Sequence, residues 1–277
     1  MDLDMYAHPT VTNNLNILQS LANFVIPAAY GELASGLVGQ GRMAEPEDIV
    51  DFIEETLRPR IPLQGKKILI TAGPTYEAID PVRFIGNFSS GKMGIALANV
   101  AAEQGAEVHL LLGPSAEKDI DHHVHLQRVV SAQQMYEAAV AEFPSCDIAI
   151  LAAAVADYTP ETVAPEKIKK KGGNLSLTLV PTVDILASLG KIKTNQILIG
   201  FALETENEVA NAQTKLEKKN LNGIVLNSLR DTGAGFGTDT NKVTFITKET
   251  QISFPLKTKE EVAKDILAQI FGILIEK

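Results

Sequence analysis

KKILITAGPTYEAIDPVRFIGNFSSGKMG, residues 66–94, is the stretch that decides the fold of this chain. Its apolar run 68–70 predicts a buried parallel strand, and a turn of serines and glycines stands just before a helical pattern over residues 95–104. Small residues let a ligand approach the backbone closely, and free N–H groups at the start of a helix attract negative charge. The stretch therefore indicates a phosphate or nucleotide site.

The chain beyond this stretch alternates between apolar runs rich in Ile, Val and Leu and segments with helical periodicity. Such alternation predicts an α/β fold with a doubly wound, mostly parallel, Rossmann-like sheet. A late antiparallel hairpin of residues 242–247 with 251–255 and a closing helix over 259–275 complete it. The predicted strands are 67–71, 107–112, 124–129, 148–153, 196–202 and 223–227, and the predicted helices are 95–104, 132–143, 184–189 and 206–219.

Prolines near residue 60 predict a boundary between two domains. A helix over residues 46–57, with acidic residues in its first turn and an apolar stripe, should end there because proline restricts its own φ and the preceding residue. We therefore expect an N-terminal segment 1–58, a linker 59–65 and a main domain 66–277.

The composition excludes several classes of protein. The formal charge of −9, from 25 Lys and Arg against 34 Asp and Glu, argues against broad electrostatic binding to nucleic acid. Cys146 is the only cysteine, so neither a disulfide within the chain nor a cysteine-rich metal site is possible, and a buried structural role is expected. The acidic N-terminus lacks a secretory signal, and no run of transmembrane length occurs, so we expect a cytoplasmic protein that does not bind membranes.

Ligands of a doubly wound sheet bind beyond the C-terminal ends of its strands, and four loops qualify here. The first lies within residues 72–94, and the second follows a buried strand and ends at Asp157. The third is the basic loop 163–173, VAPEKIKKKGG. The fourth follows Phe201 and leads to a helix that carries Lys215 and Lys219 four residues apart, hence on one face.

Each of these features has a structural interpretation beside the functional one. A run of lysines is usually a solvated surface, and Asp157 alone fits a helix cap or a turn. Lys215 and Lys219 fit the outer face of an amphipathic helix, and Phe201 fits the core because it follows an apolar run. The residue types alone leave these alternatives open.

Four strings of the chain, in this order and at these spacings, closely resemble bacterial phosphopantothenoylcysteine synthetases. They are ITAGPTYEAIDPVRFIGNFSSGKMG, AAAVADY, VAPEKIKK and GFALET, and the resemblance covers about residues 64–277. It implies a ligase that joins 4′-phosphopantothenate to L-cysteine with CTP and Mg²⁺ or Mn²⁺, through an acyl-cytidylate. It also implies a homodimer in which the region 233–241 completes the neighbouring site.

The resemblance also implies roles for individual residues. Asn87 matches an asparagine that contacts the acyl intermediate, Arg83 an arginine near the substrate phosphate, and Lys167 a flap lysine that closes over the reacting phosphates. Asp157 matches an acid that hydrogen-bonds the nucleotide. The other implied nucleotide-binding residues are Ala152, Ala153, Thr182, Val183, Asp184, Ile185, Phe201, Lys215 and Lys219, and those of the substrate-phosphate loop are Gly73, Ser89, Ser90, Gly91 and Lys92.

The segment LVPTVDIL, residues 179–186, departs from the family pattern. Many relatives read closer to KNPDIL, so Asp184 and Ile185 are retained, whereas the lysine, asparagine and proline before them are replaced. The contacts of Thr182 and Val183 with the base are the part of the site that this departure affects.

Residues 1–58 resemble the C-terminal part of phosphopantothenoylcysteine decarboxylase, a flavoprotein often fused ahead of the synthetase. Residues 1–5 fit its substrate-clamp motif and residues 36–43 its glycine-rich flap, but Ser35 stands where that family has a catalytic cysteine. A serine hydroxyl is a far more reluctant proton donor than a thiol. The flavin-binding strands and the catalytic histidine of that family have no counterpart in this segment. We therefore expect an inactive remnant without its own sheet that binds no FMN and packs on a flavoprotein decarboxylase domain as its partner.

Two other functions are weighed against the ligase. A dehydrogenase of the NAD type is disfavoured because no G-x-G-x-x-G follows the strand at 67–71. A non-catalytic nucleotide-binding module that only assembles with a flavoprotein is the stronger alternative, although the intact Asn87, Asp157 and Lys167 argue against decay.

Overall fold

The computed structural model describes residues 1–57, 62–170, 172, 174–204, 207–228, 235 and 237–275. The chain forms two compact units, the N-terminal unit Met1–Arg60 and the C-terminal unit Ile61–Lys277. Across the described residues, no helix combines the length and apolar character needed to cross a membrane.

The N-terminal unit is small and has little apolar core. Its β1 and β2 pair in an antiparallel two-stranded sheet, which corrects the expectation that this segment lacks a sheet of its own. Leu33 is the only buried apolar side chain among its described residues. Its elements are α1 (Leu3–Tyr6), α2 (Pro9–Ser20), β1 (Ala29–Glu32), β2 (Val38–Arg42) and α3 (Pro46–Leu57).

The C-terminal unit follows the predicted alternation of strands and helices closely. Its first half contains β3 (Lys67–Ala72), β4 (Tyr76–Ala78), β5 (Phe84–Gly86), α4 (Lys92–Glu103), β6 (Glu107–Leu112), β7 (His125–Arg128), α5 (Ala132–Glu142) and a 3₁₀ turn (Phe143–Ser145). Its second half contains β8 (Ile148–Leu151), β9 (Tyr158–Pro160), β10 (Leu179–Pro181), α6 (Ile185–Ile192), β11 (Ile197–Glu204), α7 (Glu208–Lys218), β12 (Gly223–Ser228), β13 (Thr240–Asn241), β14 (Val243–Ile246), β15 (Gln251–Ser253), β16 (Lys257–Thr258) and α8 (Lys259–Ile275).

An eight-stranded sheet in the order β15-β14-β12-β11-β8-β3-β6-β7 forms the centre of this unit. The six strands from β12 to β7 are parallel, whereas β14 and β15 add an antiparallel hairpin at one edge. The predicted fold class, a doubly wound and mostly parallel sheet with a late hairpin, is confirmed.

Helices cover both faces of the sheet, and each face buries its own cluster of apolar side chains. Successive strand residues point to opposite faces, so in β3 Ile68 and Ile70 pack with α4 and α8, while Leu69 packs with α5, α6 and α7. Burial on both faces explains why the parallel strands read as continuous apolar runs.

Short antiparallel pairs outside the central sheet were not predicted. They are β4 with β5, β9 with β10, and β13 with β16. The β9–β10 pair matters for the site, because it places Thr182 beside Asp157, whose carbonyl accepts the Thr182 N–H at 2.9 Å.

Cys146 is half-buried rather than fully buried. Burial raises the pKa of its thiol to about 12, and the thiol donates to the Phe143 carbonyl at 3.2 Å. This placement is consistent with a structural cysteine and not with a reactive thiolate.

Candidate functional site

The candidate site is a cleft of about 620 Å³ beyond the C-terminal ends of the parallel strands. From β3 the chain moves to β6 and β7 on one side, and it then returns to β8 on the other side of β3. The connections that leave β3 and β8 thus run to opposite sides of β3, and the cleft lies at this point where the strand order reverses. Residues from the ends of both strands, Thr71 and Leu151 among them, line the cleft.

One side of the cleft is fixed by the loops that follow β3 and β8, residues 71–75 and 152–156, which we call the backbone wall. The Ala154 N–H donates to the Gly73 carbonyl at 2.9 Å, and the Ala156 N–H donates to Thr75 Oγ1 at 2.9 Å. Thr71 and Thr75 are both buried. Because these bonds join main chain to main chain or to a buried hydroxyl, the shape of this wall is set before any ligand binds.

Asn87 connects a third segment to the backbone wall. Its side-chain Nδ2 donates to the carbonyls of Ala154 at 2.8 Å and Val155 at 3.2 Å. Both amide protons are thus used to hold the wall, and Asn87 itself lines the cleft. An asparagine in this place orients its amide oxygen without carrying charge.

The N-terminus of α4 also faces the cleft, through residues 91–94. Gly91 is the N-cap with φ of 85°, a conformation that favours glycine, and no side chain caps the helix. A Cβ on Gly94 would lie 2.4 Å from the Ala72 Cβ, so only glycine lets α4 sit this close to the end of β3. The first N–H groups of a helix lack intrahelical partners and attract anions.

Lysine side chains form a second side of the cleft, which we call the lysine wall: Lys92, Lys215, Lys219 and Lys259. Lys92 Nζ lies 2.6 Å from Asp239 Oδ1 and 3.8 Å from Glu117 Oε1. Lys219 Nζ lies 2.8 Å from Asp184 Oδ2. Ion pairs between side chains therefore position Lys92 and Lys219. An anionic ligand can replace the carboxylates in these pairs.

Lys259, the first residue of α8, is buried and donates to the loop around residue 238. Its Nζ contacts the carbonyls of Thr238 and Thr240, the latter at 3.2 Å. Burial lowers the pKa of Lys259, and the Lys92 charge lowers it further, whereas Asp239 raises it. The hydrogen bond to Asp239 raises the pKa of Lys92. The negative charge of Asp239 thus offsets the repulsion between the positive charges of Lys92 and Lys259.

Asp184 joins the lysine wall to the start of α6. It is the N-cap of that helix and accepts the Ala187 N–H at 2.9 Å. Burial opposes ionisation of Asp184, but the hydrogen bonds from Lys219 and Ala187 lower its pKa overall. Asp184 is thus a carboxylate at neutral pH and fixes the position of Lys219.

Most of the predicted site residues line this one cleft. Gly73, Arg83 and Lys167 do not belong to the lining. Sequence reasoning missed Met93, Asn227 and Lys259, which do, and it expected Asn241 at the neighbouring subunit's site, whereas Asn241 lines the cleft of its own chain. The predicted residues that the structure brings together are Asn87, Ser89, Ser90, Gly91, Lys92, Ala152, Ala153, Asp157, Thr182, Val183, Asp184, Ile185, Phe201, Lys215 and Lys219.

Arg83 instead holds the basic loop to the loop after β4. Its guanidinium pairs with the buried Asp80 at 2.9 Å and donates to the carbonyl of Ile168, which follows Lys167. Burial opposes ionisation of Asp80, but backbone N–H bonds from Ile168, Val82 and Arg83 lower its pKa overall. Among the described residues, the buried Nε of Arg83 has no hydrogen-bond partner.

No three metal-ligating side chains converge in the described part of the cleft. A divalent cation in the cleft would have to be coordinated by oxygens of the bound small molecule as well as by protein oxygens. Mg²⁺ is commonly bound in this way together with substrate phosphates. The cleft can therefore bind a ligand rich in negative charge, using the start of α4 and the lysine wall.

Comparison with known families matches both units of the chain. Residues 63–273 match the family model described as DNA/pantothenate metabolism flavoprotein C-terminal domain, abbreviated DFP. Residues 1–58 match the model described as Flavoprotein. The second match lends no support to the expectation that this chain binds no FMN.

Individual relatives resemble nearly the whole chain. A protein named cysteine/cysteine sulfinic acid decarboxylase, from an unknown prokaryotic organism, is 54% identical over 99% of this chain and 78% of its own length. The coenzyme A biosynthesis bifunctional protein CoaBC of Bacillus subtilis is 46% identical over 99% of this chain and 68% of its own length.

A solved structure confirms the same fold. The crystal structure of the C-terminal domain of a coenzyme A biosynthesis bifunctional protein CoaBC superposes with a TM-score of 0.68 at 48% identity, covering 78% of this chain and 99% of that one. The family model, the B. subtilis relative and this structure point to the same family. The chain therefore belongs to the CoaBC family, with residues 63–273 as its DFP domain.

Proposed function

We propose that this chain is a ligase of coenzyme A biosynthesis that joins 4′-phosphopantothenate to L-cysteine and uses CTP. The observation that supports it best is the cleft, where the uncapped N-terminus of α4 and four lysines meet a wall of fixed backbone. Activating a carboxylate by attack on an α-phosphorus gathers negative charge and needs cations and N–H donors more than a protein nucleophile. The family membership and the name of the B. subtilis relative favour the same assignment.

In this proposal different parts of the cleft bind the phosphates and the nucleoside. The lysine wall and the start of α4 bind the phosphates, with Mg²⁺ or Mn²⁺ held mainly through them, and Asp157, Phe201 and residues 182–185 take the nucleoside. The metal, when bound, would neutralise charge that develops on the phosphates. Ser89 and Ser90 lie at the same end and suit the phosphate of the second substrate.

Asn87 is proposed to act on the acyl intermediate. Its amide protons are held by the carbonyls of residues 154 and 155, which fixes the orientation of the amide group, and hence of its oxygen, beside the cleft. Such an oxygen can accept a hydrogen bond from the attacking cysteine and orient it toward the acyl carbon.

Lys167 and Arg83 are proposed to act through movement of the basic loop. Lys167 is exposed and outside the cleft lining, whereas Arg83 ties the neighbouring Ile168 to Asp80. A loop pinned at one point can swing a lysine over the bound phosphates while its anchor stays in place.

We propose a homodimer and a cytoplasmic location. The suggested donors to a neighbouring site, residues 233–241, lie partly outside the described residues. Thr238 and Asp239 are described, and they are held by Lys259 and Lys92 at the cleft.

Release of pyrophosphate tests the ligase directly. The full chain is incubated with 4′-phosphopantothenate and either CTP or ATP, first without L-cysteine and then with it. We expect release that depends on phosphopantothenate and prefers CTP, and product only after cysteine is added. Absence of release with both nucleotides would favour the non-catalytic nucleotide-binding module.

For the N-terminal unit we propose that it has no decarboxylase activity by itself. Ser35 donates to Asp2 Oδ1 at 3.1 Å, so a serine paired with a carboxylate stands where the related decarboxylases carry a thiol. Visible flavin absorbance of the purified chain reports FMN binding separately from catalysis. Carbon dioxide released from phosphopantothenoylcysteine would overturn the proposal.

A further inference from the structure

Two histidines and a glutamate meet at one edge of the central sheet, away from the cleft. His109 of β6 and His125 of β7 are register partners in the parallel pair, so their side chains share a face. Glu107 lies two residues before His109 in the same strand and therefore also points to that face. The ligand atoms of these three residues lie within 4.8 Å of one another.

We propose that Glu107, His109 and His125 bind a divalent transition-metal ion, with Zn²⁺ as the ion that fits best. Zinc takes imidazole nitrogens and carboxylate oxygens at about 2.0–2.2 Å, and three protein ligands with a water is a common set. Ligand atoms around such an ion are separated by roughly 3.3 Å by tetrahedral geometry. His109 Nε2 and Glu107 Oε1 already lie 3.3 Å apart, and rotation of the exposed His125 brings in the third ligand.

A second carboxylate, that of Glu142, also contacts His109. His109 Nδ1 lies 3.2 Å from Oε2 of Glu142, at the end of α5, while Nε2 faces Glu107. A histidine that ligates a metal commonly donates its other ring N–H to a carboxylate, which fixes the tautomer and orients the ring. Glu142 supplies that outer contact here.

Lys67 is the competitor for this site. Its Nζ lies 3.2 Å from Glu107 Oε1, so a bound ion must displace this ammonium from the carboxylate. Removal of the Lys67 charge should consequently tighten metal binding.

The ion would tie the edge strand β7 to the sheet. All four residues of β7 are exposed, and an edge strand with little burial is held mainly by its ladder of hydrogen bonds. Metal bound to the folded chain alone raises its stability by mass action. The three ligands stand near the beginning of β6 and β7, whereas the cleft lies at the other end of the strands, so ligation should not require the ion.

Titration of the untagged, EDTA-treated full chain with ZnCl₂ tests the site by calorimetry. We expect one saturable site per chain and a rise in melting temperature with Zn²⁺. His125→Ala, an exposed position that should fold normally, should weaken binding at least about 100-fold, and Glu142→Gln about 10-fold. Lys67→Gln should bind more tightly than the unchanged chain.

The matched control removes a different pair of histidines. Asp121, His122 and His123 form a second group of candidate ligands in an exposed loop, where Asp121 already accepts the His123 N–H at 2.8 Å. The double variant His122→Ala/His123→Ala should keep the site. Unchanged Zn²⁺ affinity in His125→Ala, or loss of the site only in the control, would overturn the proposal. Pyrophosphate release by His125→Ala should stay normal, which separates this test from that of the ligase.

Discussion

The two walls of the cleft are built by different interactions. The backbone wall, residues 71–75 and 152–156, is joined by main-chain bonds and by the hydroxyls of buried threonines. The lysine wall is joined by side-chain ion pairs such as Lys92 with Asp239 and Lys219 with Asp184. The backbone wall has a fixed shape, whereas the lysines of the lysine wall can replace their carboxylate partners with an anionic ligand. We therefore propose that the first wall positions the ligand and that the second neutralises its charge.

Asn87→Asp should have the largest effect, because it places a carboxylate against two carbonyls of the backbone wall. We expect formation of phosphopantothenoylcysteine to fall by about 100-fold, the loss typical of a removed transition-state contact, while phosphopantothenate-dependent pyrophosphate release continues. Both products are measured in the same assay.

Asn99→Asp is the matched control for this variant. The Asn99 Nδ2 also donates to a backbone carbonyl, that of Asp119 at 2.9 Å, but Asn99 does not line the cleft. Product formation should be normal in this control. Normal product formation in Asn87→Asp would remove Asn87 from the chemistry.

Thr75→Val tests the fixed shape of the backbone wall. It removes the oxygen that accepts the Ala156 N–H at 2.9 Å and leaves a buried donor unpaired. We expect the free energy of unfolding to drop by about 2 kcal/mol. Urea denaturation measures it, and Thr75→Ser, which keeps the hydroxyl, should lose less. An unchanged free energy of unfolding in Thr75→Val would show that the hydrogen bond to Ala156 does not stabilise this wall.

Lys219→Gln tests the exchangeable wall. It removes one charge from the cleft and frees Asp184, so the KM for CTP should rise about tenfold, the usual cost of a charged contact. Lys218→Gln is the control, because Lys218 is exposed on the same helix and outside the cleft lining. If both variants raise KM equally, the effect comes from the net charge of α7 and not from the cleft.

Asp80→Asn should have the smallest effect, and its signature is the pH dependence. The folded-state pKa of Asp80 is lowered, so its contribution to stability is complete above the unfolded value of about 3.9 and is lost as pH falls through the folded pKa. The difference in unfolding free energy between unchanged chain and variant should be constant near neutral pH and shrink in acid. A difference independent of pH would show that Asp80 is not ionised in the folded chain.

The sequence predicted the central sheet well because its strands carry their own signal. The apolar runs of β3, β6 and β8 are buried, and runs of this length between helical segments are typical of parallel strands covered on both faces. The small pairs β4–β5 and β9–β10 lack such runs, since their three-residue strands are half exposed. Their pairing depends on tertiary context and was missed.

The site was predictable where a residue type is unusual for its place. Gly91 and Ser89 before a helix, and Asp157 after a buried strand, stand out in the sequence. Lys259 does not, because a lysine at the start of a helix looks like an ordinary surface residue until the fold buries it. For Lys167 the outcome is reversed. Its basic loop predicted a residue of the binding site, whereas in the structure Lys167 is exposed and does not line the cleft.

The position of Lys259 has a consequence for synthesis of the protein. The cleft uses residues from β3 near the beginning of the C-terminal unit and Lys259 from the first turn of α8 near its end. A chain emerging from the ribosome can form the parallel strands early, but it cannot complete the lysine wall before α8 has been made and has packed against α4. The nascent protein should therefore acquire its shape before it acquires its full affinity for anions.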